Sequence, residues 1–385
     1  MSAGEPFRLL FPIGTLLGLI GIALWPLFAW HLFPTYPGIL HARIMIEGFV
    51  ATFIIGFLGT ALPRLLDTPR FTLWESLLFA ILLPGSVALH LAQFSLAGDG
   101  VFLLTLLLFG FVLLRRVRVR KDNPPPAFLL VAGGLLSAIF GVSIQILGQI
   151  PNFILPGWLT AFGRLLLYQG FVLLPVLGVG AFFLPRFFGL PNRQSLPESL
   201  SFSPEWKRRA ALALGCALLL TVSFLLEALA FFRFAYALRA LVMAAYLLRE
   251  VPIHKANSAP GSLVLGLRIA LFSVPLGYGL MAIFPADALS FLHVVFITGF
   301  SLLILTVASR VIYGHSGHPE KFSAILWPIR FLSSLIIIAM LTRVSADWMP
   351  DLRFDHYSYA AIAWILGVAI WAATILPAVR KPDAS

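Results

Sequence analysis

The sequence predicts an all-α polytopic membrane protein: one domain, residues 1–385, built as a bundle of twelve transmembrane helices. Three observations predict it. The chain is 60% hydrophobic and only 11% charged, where a soluble domain carries about 25% charged residues. Its mean hydropathy is +0.96. The apolar residues also come in runs of about twenty, the length that crosses a ~30 Å hydrocarbon core.

In order, the predicted spans are 8–30, 40–63, 73–94, 99–114, 127–150 and 163–184, then 210–230, 232–248, 261–284, 287–312, 323–342 and 357–377. The first is read as a span and not a removable leader, since no small-residue cleavage site follows it and many spans do. The longest polar stretch, 187–209, divides spans one to six (1–186) from spans seven to twelve (210–385). No repeat stands out as a pair of inverted transporter halves.

The cations alternate with the loops. Arg64 and Arg70, the run Arg115 to Lys121, Arg186 to Arg209, Arg249 and Lys255, Arg310 and Lys321, and Arg380 and Lys381 follow even-numbered spans. Loops after odd-numbered spans hold only Arg233, Arg343 and Arg353. By the positive-inside rule both termini are expected in the cytoplasm. The net charge of +11 is thus a topology signal with a second use toward anionic lipid, and not a sign of nucleic acid. The single cysteine, Cys216, excludes an intrachain disulfide, a Cys-ligated iron–sulfur cluster and a zinc site of several cysteines.

Ionisable groups inside spans are costly and point to function. This topology places His31, His41, His90, His293 and His356 on the outer side and His254, His315 and His318 on the cytoplasmic side. His41, opening span two, and His293, one and a half turns into span ten, fall at similar depth. Two imidazoles facing across a bundle can hold a b-type haem; alternatively each bonds a backbone carbonyl or interfacial water. His90 is a third ligand candidate, for a second haem or a metal, with no partner at local spacing. Arg43 and Glu47 are four apart and can pair along one face, leaving a proton-handling Glu47 as the alternative. In "YGHSGHPEK", Gly314, Gly317 and Pro319 make a structured turn the expected form, against a helical His315/His318 metal pair.

"LHARIMIEGFVATFIIGFLGTALPRLL" in span two and "FLHVVFITGFSLLILTVASRVIYGHSGHPEKF" around span ten resemble the NnrS family, twelve-span haem- and copper-containing membrane proteins of the nitric oxide response. The family pattern His-Ala-His-Glu-Met is matched by His41, Ala42 and Met45 but broken at Arg43 and Ile44; Arg310-Val311 and Gly314-His315 match further on. A more distant resemblance is to the catalytic subunit of haem–copper oxidases and nitric oxide reductases, whose low-spin haem lies between histidines of spans two and ten.

That resemblance implies His41 and His293 as axial ligands of haem b, and Arg343 and Arg353 as partners of its propionates. Spans six and seven contain no histidine, so the copper of the oxygen-reducing centre lacks its ligands in that form, and catalysis of the usual kind is not expected. Copper elsewhere stays open. The role implied is nitric oxide or nitrosative stress response or membrane electron transfer in the bacterial inner membrane. Its expected partners are the bilayer, a membrane redox partner or quinol, and nitric oxide. The alternatives are a haem-free transporter with His41, Arg43, Glu47 and Glu227 along its pathway, or a non-catalytic electron-transfer subunit.

Overall fold

A computed structural model describes residues 4–252, 254 and 261–381, so that Lys255, counted above among the loop cations, lies outside the described residues. Twelve long helices follow one another with no strand among those residues. They are α1 (Phe7–Ala29), α2 (Gly38–Leu65), α3 (Leu73–Leu91), α4 (Ser95–Arg118), α5 (Phe128–Leu147), α6 (Gly157–Phe187), α7 (Pro204–Ala228), α8 (Phe232–Glu250), α9 (Ser262–Ile283), α10 (Pro285–His315), α11 (Trp327–Ser345) and α12 (Arg353–Ile375). All but α8 reach the length and apolarity of a membrane span. α8 carries Arg233, Arg239, Arg249 and Glu250 within 19 residues; of the two buried ones, Glu250 receives Gln194 at 2.8 Å and Arg209 at 3.4 Å, and the partners of Arg239 are described below.

Local chemistry sets the helix ends. α7 begins six residues before its expected start because Ser203 accepts the Trp206 amide and Pro204 occupies the first turn. α3 opens with a reciprocal capping box: Thr72 accepts the Glu75 amide while Glu75 accepts the Thr72 amide. Arg116, near the end of α4, then holds the Glu75 carboxylate at 2.7 Å.

The chain divides into two compact units. The first comprises Phe11–Met45 and Ser258–Ser385, and the second Ser2–Leu10 and Ile46–Asn257. In the first, Trp364 and Trp371 of α12 are buried and donate their indole N–H groups to Ser301 and Ser309 of α10, at 2.8 and 2.7 Å. A buried indole needs such a partner, so this pair fixes the register of α12 on α10. In the second, α5 and α6 approach backbone to backbone. A methyl at Gly141 would stand 2.6 Å from the Leu167 nitrogen and 2.7 Å from the Gly163 oxygen. Gly141→Ala is therefore expected to destabilise the protein by about 1–3 kcal/mol, since main chain cannot move aside as a side chain can. Denaturant titration in mixed micelles reads this; an unchanged midpoint would mean the contact is soft.

Three spans are wound partly as π-helix: α2 over Ile44–Val50, α6 over Leu166–Gly170 and α10 over Val294–Ser301. Such segments arise where one residue too many is fitted into an α-helix, and they gather at functional sites. Each here contains a polar residue followed by glycine, with phenylalanine next: Glu47-Gly48-Phe49, Gln169-Gly170-Phe171 and Thr298-Gly299-Phe300. The three polar residues are buried.

Candidate functional site

In the first unit His41 stands three residues before one π segment and His293 immediately before another. Both are half-buried. The His41 Nδ1–H donates to the Gly21 carbonyl of α1 at 2.9 Å. The His293 Nδ1–H donates to Leu289 O, one turn back, at 2.7 Å. Gly21 serves twice, because a side chain there would strike Ile44 at 2.9 Å and Met45 at 3.1 Å and push α1 away from the carbonyl's partner. A backbone carbonyl at Nδ1 sets the tautomer that leaves Nε2 with its lone pair, the form in which imidazole ligates a metal. The two rings lie within electrostatic reach of each other and of Arg343. An aromatic wall adjoins His41, with Trp25 edge-on to it at 5.6 Å and Tyr357 against Trp25 at 4.8 Å.

Arg343 and Arg353, expected as propionate partners, converge on a protein carboxylate. Asp347, just past α11, is 3.1 Å from Arg343 Nη1 and 3.6 Å from Arg353 Nε. Tyr357 donates to it at 3.0 Å, and Ser290 donates as well. The Arg343 guanidinium also lies over the Tyr357 ring at 4.1 Å. Two cations thus share one anion, and Arg353 Nε is buried with no hydrogen bond of its own. That surplus of donors fits a second carboxylate. The residues of this unit therefore suit a haem: two imidazoles with free Nε2 atoms, an aromatic flank and arginine donors to spare.

The second unit holds a group that spacing did not reveal. Glu47, His90 and Asp99 come from α2, α3 and α4, each essentially without solvent exposure. His90 Nε2 is 3.0 Å from Glu47 Oε2 and 3.5 Å from Asp99 Oδ1. Gln149 donates to the other Asp99 oxygen at 2.5 Å. The turn between α3 and α4 makes this possible: Gln93 adopts φ 65°, and the chain doubles back so that Asp99 meets His90. Gly98 is obligatory there, since a methyl on it would lie 2.6–2.8 Å from three atoms of the His90 ring. One ligand atom from each of the three residues falls within 4.8 Å of the others, so the group could hold a metal ion. With one imidazole, two carboxylates and no sulfur, its donors suit a harder divalent cation than copper.

The other candidates are accounted for by neighbours. Glu227, considered for a transport pathway, receives Arg239 at 2.7 Å. Fully buried Arg239 also donates to Gln169 and Ser223 and lies over Phe224. The loop after α10 is the expected turn: Gly317 has φ 74°, and His318 bonds Glu320 through Nδ1 and Lys381 through Nε2. The signal that would have found Glu47 and Gln169 lies in the sequence. α2 and α6 share Gly48/Gly170, Phe49/Phe171, Val50/Val172, Gly56/Gly178 and Leu62-Pro63-Arg64/Leu184-Pro185-Arg186 at one constant spacing. This is a same-direction repeat, which a search for inverted halves passes over.

The fold defines a polytopic helical membrane protein, with a buried Glu47/His90/Asp99 group that could hold a metal ion. The model of the family described as "NnrS protein" matches residues 3–382, and the chain belongs to that family. No curated protein matches it.

Proposed function

We propose that this NnrS-family protein carries one b-type haem in its first unit, with His41 and His293 as axial ligands and Arg343 and Arg353 toward the propionates. The observation that carries the reading is the matched state of the two imidazoles. Each gives its Nδ1–H to a backbone carbonyl, at 2.9 and 2.7 Å, and each keeps Nε2 free. When bound, such a haem would supply one-electron redox chemistry.

The chain's residues do the rest. Gly21 O and Leu289 O orient the rings, Trp25 shields one of them, and the Arg343/Arg353 pair balances negative charge beside Asp347. With two imidazoles to hold the group, the site would favour electron transfer or redox sensing over turnover. We place its use in the nitric oxide and nitrosative stress response, in the bacterial inner membrane with both termini cytoplasmic. The loop charges support that orientation. Copper is not part of the reading, because the donors gathered around His90 are mainly oxygen.

The optical spectrum of the purified protein tests it. A sharp Soret band with resolved α and β bands on reduction is expected, at about one haem per chain. A colourless protein that takes up no added haem would end the reading.

A further inference from the structure

The second unit holds three buried ionisable side chains that a haem in the first unit does not use: Glu47, His90 and Asp99. Their surroundings arrange them as ligands. The Gln149 amide donates to Asp99 Oδ2, which turns Oδ1 toward His90 Nε2. Gln149 is steadied in turn by a second bond to Gln145 O at 3.1 Å. Ser86, one turn before His90, donates to Gly98 O at 3.0 Å and so ties α3 to α4 at the level of the group. Packing against Gly98 aims the imidazole. Its Nδ1 is buried with no hydrogen-bond partner among the described residues, so the ring engages polar groups through Nε2.

Distance and charge both favour a shared cation over a shared hydrogen. A ring nitrogen carries one hydrogen and can give it to one oxygen, yet His90 Nε2 faces two carboxylates, at 3.0 and 3.5 Å. A first-row metal ion bonded to nitrogen and oxygen at about 2.1 Å holds neighbouring ligand atoms about 3.0 Å apart at a right angle and about 3.4 Å apart at the tetrahedral angle. One ion can therefore engage all three residues at nearly the separations already present. Two carboxylates and one divalent cation also leave no net charge, the state a low-dielectric interior tolerates.

We infer that Glu47, His90 and Asp99 bind one divalent ion of the manganese, iron(II) or zinc class, which cross-links α2, α3 and α4. The donor set selects that class. Calcium asks for more oxygens than the group supplies, and magnesium keeps several waters, which a buried site does not readily admit. Copper(I) prefers the thiolate and thioether ligands that this set lacks. No residue of the site belongs to the haem reading, so each stands or falls alone.

The test is to express the full-length protein with manganese, iron or zinc added to the medium in turn and to count metal on the purified protein, haem iron being subtracted. Pulsed electron paramagnetic resonance is recorded on the manganese form. About one ion per chain is expected, with the nitrogen modulation of one directly bound imidazole. Glu47→Gln and Asp99→Asn keep shape and hydrogen-bonding capacity, and each should hold at least tenfold less metal. Gln149→Leu, which acts through Asp99, should shift occupancy in the same direction. His90→Gln should abolish the nitrogen modulation. Monodisperse elution in detergent shows that a variant is folded. Parent protein without bound metal from any of the three media would show a hydrogen-bonded cluster only and overturn the proposal. Equal metal in the parent and in both carboxylate variants would show adventitious binding and do the same. So would a manganese signal without nitrogen modulation, since that ion would lie away from His90.

Discussion

Purified His293→Ala protein is expected to lose the six-coordinate, low-spin haem spectrum, and His41→Ala to lose it as well. Neither ring carries structural weight that would make this a mere folding defect. Among the described residues, His293 hydrogen-bonds within its own helical turn, at Leu289 O, and His41 bonds Gly21 O. Removing either frees a backbone carbonyl in a half-buried position, a cost of about 1 kcal/mol that a bundle of this size absorbs. The proposed haem, by contrast, would lose one of the two residues that hold it. Retained haem in either variant would be five-coordinate and high-spin, and added imidazole should restore the low-spin form by entering the vacated space. That rescue separates a ligand from a packing residue. Low-spin spectra persisting in both variants would remove His41 and His293 from the ligand set, and the same loss in His90→Ala would move the site to the second unit.

Much of the architecture was legible because hydrocarbon imposes it. Runs of apolar residues of span length, broken by short cationic loops, leave few alternatives, and helices recur wherever they were expected. α8 shows where that logic strains, since Arg239 in its middle is legible only once Glu227, Gln169 and Ser223 are placed around it. His41 and His293 could be singled out by depth alone. Glu47 could not be read as a partner of His90, because that contact crosses from α2 to α3 and no spacing along one helix shows it; π winding from Ile44 sets the turn of the helix there. Asp99 was missed for a different reason: it opens a helix after a loop, where an acidic residue is ordinary, and only the turn at Gln93 brings it against His90.

His90→Ala is expected to be strongly destabilising, on the order of 3–5 kcal/mol, because it removes the imidazole nitrogen that two buried carboxylates share. Gly98→Ala should act in the same direction through the same contact. Its new methyl would lie 2.6–2.8 Å from the His90 ring and force the imidazole off Glu47. The two changes should not add. With the ring gone, the methyl at 98 enters space the imidazole has left, so the double variant should be no less stable than His90→Ala alone, a coupling of at least 1 kcal/mol. Additive losses would mean that Gly98 acts elsewhere. Metal analysis of the same proteins bears on what the group holds. One tightly bound manganese, iron or zinc ion per chain in the parent, absent from His90→Ala, would mean that a divalent cation balances Glu47 and Asp99, and chelation of the parent should then reproduce the variant's loss of stability. Without such an ion, the carboxylates are balanced by protons and by their hydrogen-bonding neighbours. The coupling between positions 90 and 98 is the same in either case, because it follows from the space the ring occupies and not from what the ring binds.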